Sequence, residues 1–187
     1  MIKNKDLIPQ LLAQTQEITQ KVNQLFENRL DSQLRNRPAN SNWNALDCVD
    51  HLNRTYDWYL PQIDKSLSEA KPVQNDSLSY QPGYMGTKMT EGSQPTQGKI
   101  RFKMKTFKKF EPNTDHLEAE EVLNTFRRNQ DQFCVFIKKA ERLNLGKIRV
   151  TSAIGPILRF KLGDCFRFLL AHNERHLLQC NRILNNE

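Results

Sequence analysis

Long apolar runs are missing from this sequence. The longest span only a few residues, as at Phe168, Leu169, Leu170 and Ala171, whereas a membrane-crossing helix needs about 20 in succession. A membrane-spanning helix is therefore excluded, and no membrane partner is expected. The opening MIKNKDLIPQ also lacks the apolar segment of a secretory signal, so a cytoplasmic protein is expected. Cysteine is sparse. Cys48, Cys134, Cys165 and Cys180 are scattered and form no C-x-x-C pair, which argues against a disulfide framework or a zinc knuckle and fits reduced thiols. With 7 glycines and 8 prolines in 187 residues, the composition is not collagen-like. A P-loop, the glycines of a dinucleotide-binding fold, a G-x-S-x-G elbow and a paired acidic motif are all absent.

What is present suits one globular domain over residues 1–187. Apolar residues make up 37% and charged residues 26%, enough of the former for a core. Lys and Arg exceed Asp and Glu by 28 to 21, a net charge of +7. That excess admits nucleic acid, acidic proteins or anionic small molecules without choosing among them.

Apolar residues at Leu7, Ile8, Leu11, Leu12, Ile18, Val22, Leu25, Phe26 and Leu30 recur at steps of mostly three and four, which predicts a helix over 7–34. Residues 35–42 read as a loop. A second helix starts near Asn44, whose side chain can accept from a free backbone N–H while Asp47 reciprocates. Its apolar face is Leu46, Val49, Leu52, Tyr56, Tyr59, Leu60 and Ile63, with Pro61 positioned to kink or end it. Residues 71–112 are rich in Pro and Gly and form a long connection. Within it, Ile100, Phe102 and Met104 alternate with Arg101, Lys103 and Lys105, a strand-like pattern with its charged side toward solvent. A third helix is expected over 115–143, capped by Asp115 and Glu118, then an irregular stretch over 144–155, then a last helix over 162–184. The fold class is all-α: an antiparallel four-helix bundle with a long irregular connection between helices 2 and 3. Strand content in that connection is expected only around residues 99–107.

The four histidines are His51, His116, His172 and His176. His172 and His176 lie one helical turn apart, a spacing that lets two imidazoles bind one ion. Leu162, Cys165, Leu169, His172, His176, Cys180 and Ile183 advance by three and four, so both histidines fall on the stripe that faces the core. Taken alone, the pair fits hydrogen-bonded core histidines, or a rotated helix edge, as well as it fits a ligand pair. His51 borders the apolar face of the second helix and can supply a third imidazole. Three neutral imidazoles would leave a metal position open for water or substrate.

Two motifs carry a resemblance. Asn42-Trp43-Asn44, followed by Ala45 through to His51 and Leu52, resembles the Trp-to-His helix-two motif of the DinB/YfiT-like superfamily. His172-Asn173-Glu174-Arg175-His176-Leu177-Leu178-Gln179 resembles its H-x-x-R-H-x-x-Q helix-four motif. The resemblance implies a four-helix bundle in which His51, His172 and His176 hold a divalent metal, zinc or nickel. It further implies relatives that join low-molecular-weight thiols to electrophiles, or isomerise substrates with thiol help. The connection over residues 71–112 is long for this pattern.

Other candidates carry blander expectations. His116 is expected at the surface, Cys48 and Cys180 as small buried hydrophobes, Glu174 on a solvated face, and Trp43 as a core plug. Arg175 and Gln179 share a side next to the histidines and can hydrogen-bond them. Residues 99–109 interleave Lys and Arg with aromatics, but no nucleic-acid-binding motif accompanies them, so nucleic acid is disfavoured as a partner. The sequence thus points to a divalent-metal protein. Through the resemblance it is read as a thiol transferase, or a hydrolase whose metal activates water, acting on a small thiol or electrophile. A non-enzymatic metal-binding or stress-related role is the alternative, and a monomer and a homodimer both stay open.

Overall fold

The computed structural model describes residues 1–39, 41–73, 78–99, 105–116 and 118–185. The chain is mostly helical. Four long helices, α1 (Asn4–Phe26), α3 (Ala45–Ser68), α5 (Ala119–Lys139) and α6 (Leu162–Asn185), are joined by the shorter α2 (Asp31–Leu34) and α4 (Tyr84–Ser93). Helices α1 and α3 each pack against both α5 and α6, while α4 lies on α6. Among the described residues, no helix is long and apolar enough to cross a membrane.

The expected first helix is divided. Asn28 takes a left-handed φ of 59°, which Asn tolerates better than most residues, and α1 ends at Phe26. Leu30, counted on the apolar stripe, instead lies 68% exposed in the turn before α2.

Helix α3 begins as its sequence predicts. The Asn44 side chain accepts from the Asp47 N–H at 2.7 Å, and the Asp47 carboxylate accepts from the Asn44 N–H at 2.9 Å. The helix runs through Pro61 to Ser68, because buried Leu60, Ile63 and Leu67 hold the following turns against the core.

Helix α5 starts later than the Asp115/Glu118 cap implied. Glu118 is its N-cap without a side-chain bond. The preceding residues are held by α3 instead: the Asn113 N–H donates to Asp50 at 2.9 Å and the Thr114 hydroxyl to Asp47 at 2.5 Å. The other end of α5 falls at Lys139, short of Leu143. There the Asn4 side-chain amide donates to the carbonyls of Glu141 and Leu143, at 3.0 and 2.9 Å.

Two small antiparallel strand pairs form outside residues 99–107, the one stretch where strand was expected. β1 (Ile2–Lys3) pairs with β2 (Ser79–Tyr80), and β3 (Arg149–Ser152) with β4 (Gly155–Lys161). The second pair occupies part of the stretch expected to be irregular. It forms because Val150 and Phe160 oppose each other and are both buried.

The long connection also holds more structure than expected, namely β2 and α4. Gly86 lets α4 approach α6, since a Cβ there would meet Asp164 at 2.4 Å; Gly163 likewise makes room for the Tyr80 ring, 2.6 Å from where its Cβ would be. Most of the alternating piece expected around residues 99–107 lies outside the described residues.

The core is aromatic where α3, α5 and α6 meet. Phe133 makes edge contacts with Tyr56 and Phe166 at ring separations of 5.4 and 5.5 Å, and all three are buried. This packing fixes α3 against α6 and therefore fixes which of their side chains face one another.

Candidate metal centre

His51 comes from α3; His172 and His176 come from adjacent turns of α6. One ring nitrogen from each lies within 4.8 Å of the others. His51 and His176 are 5% exposed, and His172 is partly buried. The ring centroids are 5.1 Å apart for His51 and His172, and 4.6 Å for each of the other two pairs.

The outer nitrogens have acceptors. His51 Nδ1 lies 2.8 Å from the Phe110 carbonyl, and His176 Nδ1 lies 3.0 Å from Gln179 Oε1. A carbonyl only accepts, so His51 carries its proton on Nδ1 and presents the Nε2 lone pair inward. The Gln179 carbonyl oxygen does the same for His176. His51 Nε2 lies 3.1 Å from His172 Nε2. Two imidazole nitrogens sharing one tetrahedral ion at about 2.0–2.1 Å would lie about 3.3–3.4 Å apart, so the observed spacing fits a shared ion with little adjustment.

The electrostatics agree with the donor chemistry. Burial lowers the pKa of His51, with the Phe110 carbonyl opposing it. Burial lowers His172 and His176 well below the usual imidazole range, reinforced by the neighbouring imidazoles and by Arg175. Neutral rings are the ligating form.

Aromatic side chains wall the cluster. Trp43 lies against His51 at 4.9 Å and stacks on His176 at 5.7 Å; Phe168 stacks on His172 at 5.6 Å; Phe110 meets His51 edge-on at 6.4 Å. Trp43, expected as a core plug, packs against the core while remaining partly exposed, and also belongs to this wall. Gln179 bonds a histidine, as its spacing suggested. Arg175 does not; its Nη1 reaches the Gly92 carbonyl at 3.5 Å. His116 is exposed and outside the cluster. Cys48 and Cys180 are buried free thiols, and Cys180 donates to the Ala45 carbonyl at 3.6 Å. Glu174 accepts from Gln14 at 2.7 Å rather than facing solvent alone.

Sequence reasoning missed Phe110 and Phe168. Phe110 acts through its backbone carbonyl, which no side-chain pattern announces. Phe168 precedes His172 by one helical turn, a spacing that could have suggested ring stacking.

No curated protein and no solved structure matches the chain. A family model does match, over residues 14–180, and that span takes in all three histidines, Trp43 and Gln179. The chain belongs to the DinB superfamily.

Proposed function

We propose that residues 1–187 form one domain in which the four long helices make an antiparallel bundle, and that His51, His172 and His176 hold a zinc or nickel ion for thiol chemistry. In this reading the protein joins a low-molecular-weight thiol to an electrophile. The observation that carries the metal assignment is the convergence of three imidazoles, two of them with the outward nitrogen bonded to an oxygen acceptor. A merely structural cluster does not need two rings whose outer N–H groups are already bonded and whose lone pairs point at a third imidazole, and a cation at the common point would accept them.

A divalent ion bound there would lower the pKa of a thiol and so supply a thiolate at neutral pH. The chain's own residues set the conditions. The Phe110 carbonyl and Gln179 hold two rings in the ligating tautomer. Trp43, Phe110 and Phe168 shield the cluster from bulk water on several sides. Partly exposed His172 and Trp43 mark where a small molecule can reach it.

The test is elemental analysis of protein purified without a metal-affinity tag, followed by thiol conjugation to a bimane electrophile before and after chelation. About one zinc or nickel per chain, with conjugation lost on chelation and restored by metal, supports the reading. Stoichiometric metal without conjugation leaves the non-enzymatic metal-binding role. A chain that takes up no metal overturns the assignment.

A further inference from the structure

Arg175 lies three residues after His172 and four before Gln179, on the face of α6 that carries the site. Its guanidinium is close enough to depress all three histidines electrostatically, and it is itself partly buried. Among the described residues it has no carboxylate partner. Its hydrogen bond to the Gly92 carbonyl, at 3.5 Å, is at the limit of such a contact and uses one of five N–H donors.

The neighbouring carboxylates are engaged elsewhere. Glu174 is bonded by Gln14, Glu91 of α4 faces Lys88 at 3.5 Å, and Asp50 is paired with Arg54 at 2.9 Å. A guanidinium drawn from water without a counter-charge is costly, and capping the end of α4 through one long bond offsets little of that. Three neutral imidazoles also leave the charge of a divalent ion uncompensated, so Arg175 adds a further positive charge to an already cationic site.

We propose that Arg175 anchors the carboxylate of the small thiol substrate, fixing the thiol end toward the three histidines. This rests on the metal reading above. Arg suits the role because its planar fork can grip a carboxylate through two parallel N–H bonds. The substrate class is then a thiol acid, rather than a neutral or cationic thiol.

The test uses the full chain loaded with Co(II), whose thiolate charge-transfer absorption reports thiol binding without turnover. 3-Mercaptopropionate is titrated against its methyl ester at constant ionic strength. Wild-type protein should bind the acid roughly tenfold more tightly than the ester. Arg175→Gln should cut that preference to about twofold or less, with cobalt content unchanged. Arg175→Lys keeps the charge and the reach to α4 but not the fork, and should lose about threefold of the preference.

Equal binding of acid and ester by wild-type protein overturns the proposal. So does a preference that survives Arg175→Gln, which would assign it to the ion alone. Should Arg175→Gln not fold, an undiminished preference in Arg175→Lys overturns it equally. Failure of the metal reading is distinguishable, because cobalt absorption would then be missing before any thiol is added.

Discussion

Acidifying the metal-stripped protein from about pH 7.5 to about pH 5.5 puts the buried imidazoles under direct load. An ordinary imidazole has a pKa of 6.5. One unit below that value, an imidazole in the unfolded chain gains about 1.4 kcal/mol from protonation, and one held neutral in the folded state gains none. The unfolded chain therefore binds more protons across this window, and stability falls as pH drops through 6.5. Burial holds His172 and His176 well below the ordinary value, so each contributes nearly the full amount. His51 contributes less, because the Phe110 carbonyl and Asp50 favour its charged form. Together they predict a loss of about 3–4 kcal/mol, a large part of the roughly 5–15 kcal/mol that holds a typical domain together. Urea midpoints at the two pH values measure it. His176→Gln should remove about 1.4 kcal/mol of the pH sensitivity, whatever its effect on absolute stability. Burial raises the Asp164 carboxyl, which pulls the opposite way, but it does so in both proteins and cancels in the comparison. A wild-type midpoint that moves with pH no more than that of His176→Gln would refute the reasoning.

His172→Ala should abolish stoichiometric metal binding while His116→Ala keeps it, as read by elemental analysis after dialysis. Gln179→Leu removes the acceptor that orients His176 and should weaken metal affinity about 10–100-fold in a competition titration, with unchanged stoichiometry at saturating metal. Asn44→Ala breaks the reciprocal cap of α3 and should cost about 1 kcal/mol of stability by urea denaturation, more if the buried Asp47 N–H is left without an acceptor.

The parts of the fold that were legible in the sequence are those decided locally. Asn44 and Asp47 cap α3 because the two partners are three residues apart, and the last helix was bounded almost to the residue by its apolar stripe. Leu30 shows the limit: it continues the stripe, but the left-handed Asn28 turns the chain before its side chain can be used. The start of α5 was misread for a different reason. Asp115 and Glu118 have cap chemistry, yet Asn113 and Thr114 are claimed by carboxylates more than sixty residues earlier, on α3. The three histidines could be nominated from spacing and resemblance. The Phe110 carbonyl could not, since it is backbone; Arg175 could be placed beside the histidines, but its bond to the Gly92 carbonyl of α4 depends on packing that the spacing does not announce.

His51 and His172 meet across 121 positions of sequence. A chain made from its N-terminus displays His51 alone of the three throughout the synthesis of everything between them. A single imidazole on a nascent helix is a weak and unselective ligand, so a growing chain offers stray cations no three-imidazole site. The complete trio exists only after α6 has docked on α3, so any metal it holds would be captured late, once folding has succeeded. An ion held there at stoichiometry would then report that the two halves of the molecule have found each other.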